Sequence, residues 1–146
     1  MTFDDTDWEL RRVIYAGLAA TGDVSNEATL ASVAGDGLDV RLRRLHDAHQ
    51  IVLDDDGSIR MALPFSAIET NHVVRAGERR WFANCAWDAL AIPAALKIDA
   101  EIDAPWLDDD TPVDLRIIDG ELHGDVDARV HFAVPARHWW DDIVHT

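Results

Sequence analysis

The sequence predicts an α+β fold, in which a winged-helix-like module of three helices and a hairpin precedes a small antiparallel sheet with one short, cysteine-bearing helix. Three observations carry this. Apolar residues recur at helical spacing in three successive segments before residue 50. Short apolar segments then alternate with turn residues, around Asp54-Asp55-Asp56-Gly57, Asp108-Asp109-Asp110 and Asp119-Gly120. Strand–helix–strand alternation and a glycine-rich phosphate loop are both missing from the pattern, which sets aside the doubly wound nucleotide-binding folds.

Taken in order, Trp8, Leu10, Val13, Ile14, Ala16, Gly17 and Leu18 form the apolar stripe of a first helix that stops near Thr21-Gly22-Asp23. Ser25 is expected to open a second helix, with Ala28 where a capping box would carry Glu. A third helix spans roughly Leu38 to Ala48, with Val40, Leu42, Leu45 and Ala48 facing inward. Gln50-Ile51-Val52-Leu53 and Ser58-Ile59-Arg60-Met61 then pair as a hairpin. Residues 1–62 make up this first module and 63–146 the second.

The second module enters through Leu63-Pro64-Phe65-Ser66. Asn71 to Arg75 and Arg79 to Phe82 pair as strands across Ala76-Gly77-Glu78 and deliver the chain to a short helix, which Pro93 either ends or kinks. Strands are further expected at Ala100 to Ile102, Val113 to Ile118 and Ala128 to Val134.

Composition narrows the function. The chain has 146 residues, 48% of them apolar, enough for one ordinary domain or two small modules with a shared interface. It has no apolar run of membrane-spanning length and no basic-then-apolar leader, so a cytoplasmic protein is expected. A single cysteine agrees with a reducing compartment. The charge is extreme: 28 acidic residues, 22 of them Asp, face 13 basic ones, for a net charge of −15. Such a surface resembles those of cytosolic proteins from salt-accumulating organisms, where screening offsets self-repulsion. It also disfavours nucleic acid as a partner. The third helix carries Arg41, Arg43 and Arg44, as a DNA-reading helix would, but twelve acidic residues outnumber six arginines in residues 1–62.

The histidines set no ligand pattern. His46 and His49 are three apart, and His131, His138 and His145 are seven apart across a strand, Pro135 and an aromatic turn. The aspartate triplets lack the alternating spacing and distal Glu of a calcium loop and read as solvated turns.

Cys85 carries the chemistry. In Phe82-Ala83-Asn84-Cys85-Ala86-Trp87-Asp88, Asn84 is expected to cap a helix whose first turn holds Cys85, where free amides and the helix dipole favour a thiolate. Asp88 lies three residues on, within reach for proton exchange. His72 and His131 are alternative partners that spacing does not choose between. Phe82, Trp87, Trp139 and Trp140 are expected to wall a pocket.

The run Cys85-Ala86-Trp87-Asp88-Ala89-Leu90-Ala91-Ile92-Pro93-Ala94 resembles the first catalytic segment of the organomercurial (alkylmercury) lyase family. The helix–hairpin module, Pro64-Phe65-Ser66, Val130-His131-Phe132 and Trp139-Trp140-Asp141-Asp142 are similar to other parts of that family. The resemblance implies protonolytic cleavage of carbon–mercury bonds, with Cys85 as nucleophilic ligand and Asp88 as proton donor and metal ligand. It implies an organomercurial or thiophilic metal ion as substrate, a low-molecular-weight thiol as helper, and no cofactor. It also implies a second cysteine, at or beyond Thr146, so the sequence is expected to be either truncated or impaired in lyase activity. A non-catalytic thiophilic metal or small-ligand binder on the same scaffold is the alternative, and a winged-helix regulator is the third reading.

Overall fold

The computed structural model describes residues 2–145. The position at or past Thr146, expected for a second thiol, lies outside the described residues.

Helix α1 (Asp5–Thr21) starts in a reciprocal capping box: the Asp7 amide donates to Asp4 Oδ1 at 2.9 Å and the Asp4 amide to Asp7 Oδ2 at 3.1 Å. It buries Leu10, Ile14 and Leu18, and ends at Gly22, whose φ of 80° is left-handed. A Cβ at Gly22 would stand 2.5 Å from the Arg80 carbonyl oxygen, so the close approach of helix and sheet also requires glycine there. Trp8, expected on the inward stripe, is 48% exposed and packs edge-on against Phe3 instead.

Helix α2 (Glu27–Ala34) is capped by Asn26 and not by Ser25; the Asn26 side chain accepts from the Thr29 amide. Helix α3 (Leu38–Asp47) buries Leu42 and Leu45. Val40, expected inward, is 64% exposed, because residues two apart point to different sides of a helix. Arg41 and Arg44 share a face of α3 and converge on the fully buried Asp7: Arg41 Nη1 donates to Asp7 Oδ1 at 2.6 Å and Arg44 Nη1 to Asp7 Oδ2 at 2.7 Å. Arg41 also binds Asp4 Oδ1 at 2.8 Å. Burial alone would push the Asp7 carboxyl up, but the Asp4 amide and the two guanidiniums together hold it below its usual value. Two of the three arginines of this helix are therefore committed inside the fold.

Among the described residues, eight strands form one antiparallel sheet in the order β1-β2-β3-β5-β4-β6-β7-β8. They are β1 (Val52–Leu53), β2 (Ile59–Ala62), β3 (Phe65–Ser66), β4 (His72–Ala76), β5 (Arg79–Ala83), β6 (Ala100–Asp103), β7 (Leu115–Ile118) and β8 (Glu121–Gly124). Ala62 pairs with Phe65, so hydrogen bonding runs across the 62/63 boundary. Buried Trp81 joins the layers by donating its indole N–H to the Leu18 carbonyl at 3.0 Å. Helix α4 (Ala86–Leu96) lies against β4, β5 and β6.

Two expectations change here. Helix α4 passes through Pro93 and ends at Lys97, whose amide donates to the Pro93 carbonyl and whose φ is 54°; proline forgoes one helical bond but its ring packs in the buried interior. Residues 128–134 form no strand. The last strand is instead β8, because Asp119 and Gly120, with φ of 53° and 80°, make a two-residue turn that starts a new strand at once. Among the described residues no helix is long and apolar enough to cross a membrane.

Candidate active site

The β4–β5 hairpin sets the position of the thiol. Ala83, the last residue of β5, pairs with His72, the first of β4, and Cys85 follows two residues later. Cys85 is itself the N-cap of α4: its backbone is extended, with φ −148° and ψ 176°, and its carbonyl accepts from the Ala89 amide at 3.0 Å. The expected cap, Asn84, stands one residue outside. Its side chain reaches across the molecule, Nδ2 donating to the Ile143 carbonyl at 3.1 Å, so it is not available to cap the helix.

The Cys85 thiol donates to Asp88 Oδ2 at 3.5 Å, the reach that the three-residue spacing predicts. Burial pushes Asp88 up from 3.8 to about 6, against the pull of the Cys85 hydrogen bond. Burial likewise pushes the Cys85 thiol above its ordinary value. The amides of Asp88 and Trp87 at the helix start oppose that rise, and the Asp88 charge adds to it. The expectation of a thiolate favoured by the helix start is therefore reversed: desolvation wins, and the resting proton sits on sulfur. The pair is a proton-bearing thiol beside a carboxyl that titrates within the physiological range.

Cys85 opens onto a cavity of about 470 Å³. Asn84, Cys85, Ala86 and Leu90 come from the α4 end, and His72 from β4. Ala104, Pro105, Trp106 and Leu107 follow β6, with Val113 and Leu115 beside them. Val130, His131, Phe132, Val144 and His145 close the far side. The lining is mainly apolar with a few polar groups, as expected of a small-molecule site. His72 is half-buried, and desolvation pulls its imidazole below the ordinary value. His145 Nδ1 is held by Asp142 at 3.0 Å.

The expected pocket walls lie elsewhere. Phe82 alternates with buried Trp81 and Ala83 along β5, so the strand period turns it to the opposite face. Trp87 and Trp139 stand behind a lining residue, with ring centroids 6.0 Å and 4.9 Å from that of Phe132. Trp140 stacks on His49, 4.0 Å away and within 3° of parallel, because the 3-10 turn Ala136–Asp141 sends the adjacent tryptophans apart. Asp88 does not line the cavity and meets it through the thiol. His72 and His131, which spacing did not separate, both line it, His72 half-buried and His131 exposed. Trp106, Leu107, Val144 and the Asn84–Ile143 tie had no local signal in the sequence. Among the described residues no three His, Cys, Asp or Glu side chains cluster to hold a metal ion.

A family model described as MerB, alkylmercury lyase, matches residues 65–146. Among solved structures, the mercury-bound form of MerB2 resembles this chain with a TM-score of 0.66 at 24% identity. That likeness, one of fold, covers 86% of this chain but only 62% of the other. No curated protein matches the sequence.

Proposed function

This chain belongs to the alkylmercury lyase family, and from that premise we propose that it cleaves carbon–mercury bonds by protonolysis, using Cys85 as nucleophile and Asp88 as proton carrier. The observation that carries the reading is the hydrogen bond from the Cys85 thiol to Asp88, at the mouth of an apolar cavity. A soft sulfur ligand suits a soft metal centre, and coordination makes a thiol give up its proton. As sulfur bonds to the mercury of R–Hg–X, that proton passes to Asp88 Oδ2. The neutral Asp88 then protonates the carbon while the carbon–mercury bond breaks. The sum is R–Hg–X plus thiol giving R–H plus Cys85–S–Hg–X, with one proton moved from sulfur to carbon and no electrons exchanged.

The raised pKa of Asp88 supports this role, because a carrier poised near 6 both accepts and donates close to neutral pH. A low-molecular-weight thiol then removes the metal, and the step draws on no cofactor. The apolar walls suit an organic group, and their exclusion of water strengthens the proton transfer.

Incubation with a phenylmercury salt and excess thiol is expected to release benzene, and Cys85→Ala or Asp88→Ala to abolish it; release that persists in Cys85→Ala sinks the assignment. The second reading is a thiophilic metal binder, for which a soft sulfur donor on an apolar cavity is the supporting feature. It predicts stoichiometric mercury retention with no hydrocarbon.

The net charge of −15 supports a salt-rich cytoplasm as the setting. The commitment of Arg41 and Arg44 to Asp7, together with that charge, weighs against duplex DNA as a partner of a winged-helix-like N-terminal half. A melting temperature that climbs with KCl concentration is expected, and one indifferent to salt defeats the proposed setting.

A further inference from the structure

Protonolysis leaves mercury bonded to Cys85 sulfur and to the exchangeable ligand X, whose place a protein donor can take. Among the polar side chains that line the cavity, the oxygen donors Asn84, Asp108 and Asp125 are chemically hard toward this metal; the Asn84 amide is tied to the Ile143 carbonyl, and the two carboxylates are exposed. Asp125 is moreover engaged, accepting from the Asp114 amide at 2.9 Å. Arg129 carries no lone pair to donate. Three imidazoles remain. His145 is held by Asp142, and His131 is exposed.

His72 differs from both. It is half-buried at the end of β4, on the sheet face that also carries buried Val74 and that α4 covers. Its backbone is tied through Thr70 to β5: its amide donates to Thr70 Oγ1 at 3.2 Å, and that hydroxyl donates to the Ala83 carbonyl at 2.6 Å. His72 lines the cavity beside Cys85, and its ring makes no hydrogen bond to any described residue. His72 pairs with Ala83, and two further residues of chain, about 7 Å at full extension, bring Cys85 alongside.

We propose that His72 is the second protein ligand to mercury in this site, its ring nitrogen displacing X from Cys85–S–Hg–X, with X leaving as the anion, and forming a two-coordinate sulfur–mercury–nitrogen product. The inference rests on the Cys85 reading above and extends it to the metal-retaining step. A neutral imidazole donates a lone pair without releasing a proton, so no further acceptor is required. Small-molecule thiolates later displace the nitrogen and then the Cys85 sulfur.

The test is a titration of the full chain, ring-15N-labelled at histidine, with one equivalent of mercuric chloride. The expected result is a large shift of one His72 ring nitrogen, and about tenfold less competing thiol needed to strip half the metal from His72→Phe than from the wild type. An unmoved His72 nitrogen in the loaded wild type overturns the proposal, as does equal thiol resistance in a folded His72→Phe or His72→Gln variant. Failure of the lyase reading shows separately, as no benzene from phenylmercury, since the titration uses inorganic mercury alone.

Discussion

The indole N–H of Trp81 donates to the Leu18 carbonyl at 3.0 Å and so fastens the last turn of α1 to the middle of the sheet. The Ala19 carbonyl accepts from the same nitrogen at 3.2 Å, and no part of the Trp81 side chain is exposed. Replacing it with Phe removes the donor and leaves a void. The expected loss is about 2–4 kcal/mol, read as a lower urea midpoint.

Asp7 is the electrostatic centre of the helical layer. Asp7→Asn leaves Arg41 and Arg44 without their shared carboxylate, at a cost of about 3 kcal/mol, since both guanidiniums are only partly exposed. The sign with pH follows from the lowered carboxyl: its stabilisation is fully present above 3.8 and is lost as pH falls through the lower folded value. The melting temperatures of wild type and Asp7→Asn are therefore expected to differ at pH 7 and to converge in strong acid.

Asp88 behaves oppositely. Its carboxyl, raised from 3.8 to about 6, favours the protonated form in the folded chain. The penalty for its charge is fully present above pH 6, shrinks as pH falls, and vanishes below 3.8. Asp88→Asn is expected to be more stable than wild type at pH 8, by up to about 3 kcal/mol, and no more stable at pH 3.5. The same variant is expected to lose about 10²-fold or more in hydrocarbon release. Denaturation at the two pH values checks the first outcome and product chromatography the second.

The raised thiol sets the reactivity of Cys85. Alkylation by iodoacetamide at pH 7.5 is expected to be slower than that of a free cysteine peptide. Asp88→Asn removes a nearby negative charge and should speed the reaction. An unchanged rate in that variant, measured by intact mass, contradicts the coupling.

Much of this was legible because it is local. The 10-14-18 stripe of α1, the hairpin around Asp54 to Gly57, and the Cys85–Asp88 pair each follow from spacing along one element. What escaped depends on partners far away in sequence. Asn84 looks like a cap until Ile143 claims its amide. Asp7 looks like a solvated first-turn acid until α3 brings two guanidiniums to it. Residues 128–134 alternate like a strand, but the turn at Asp119-Gly120 has already supplied the partner that β7 needs, and Val130 and Phe132 go to the cavity instead. Trp87 and Trp139 pack on the lining residue Phe132 and Trp140 stacks on His49, an arrangement that only three-dimensional packing shows.

The bond between Asn84 and Ile143 spans 59 positions of sequence. On the ribosome, the thiol and its hairpin therefore emerge well before the segment that roofs them. During that interval a nascent chain holds Cys85 uncovered, without the apolar shelter that keeps its proton on sulfur. Under the proposed chemistry, premature capture of a soft metal by the growing polypeptide is thus a hazard written into the order of synthesis.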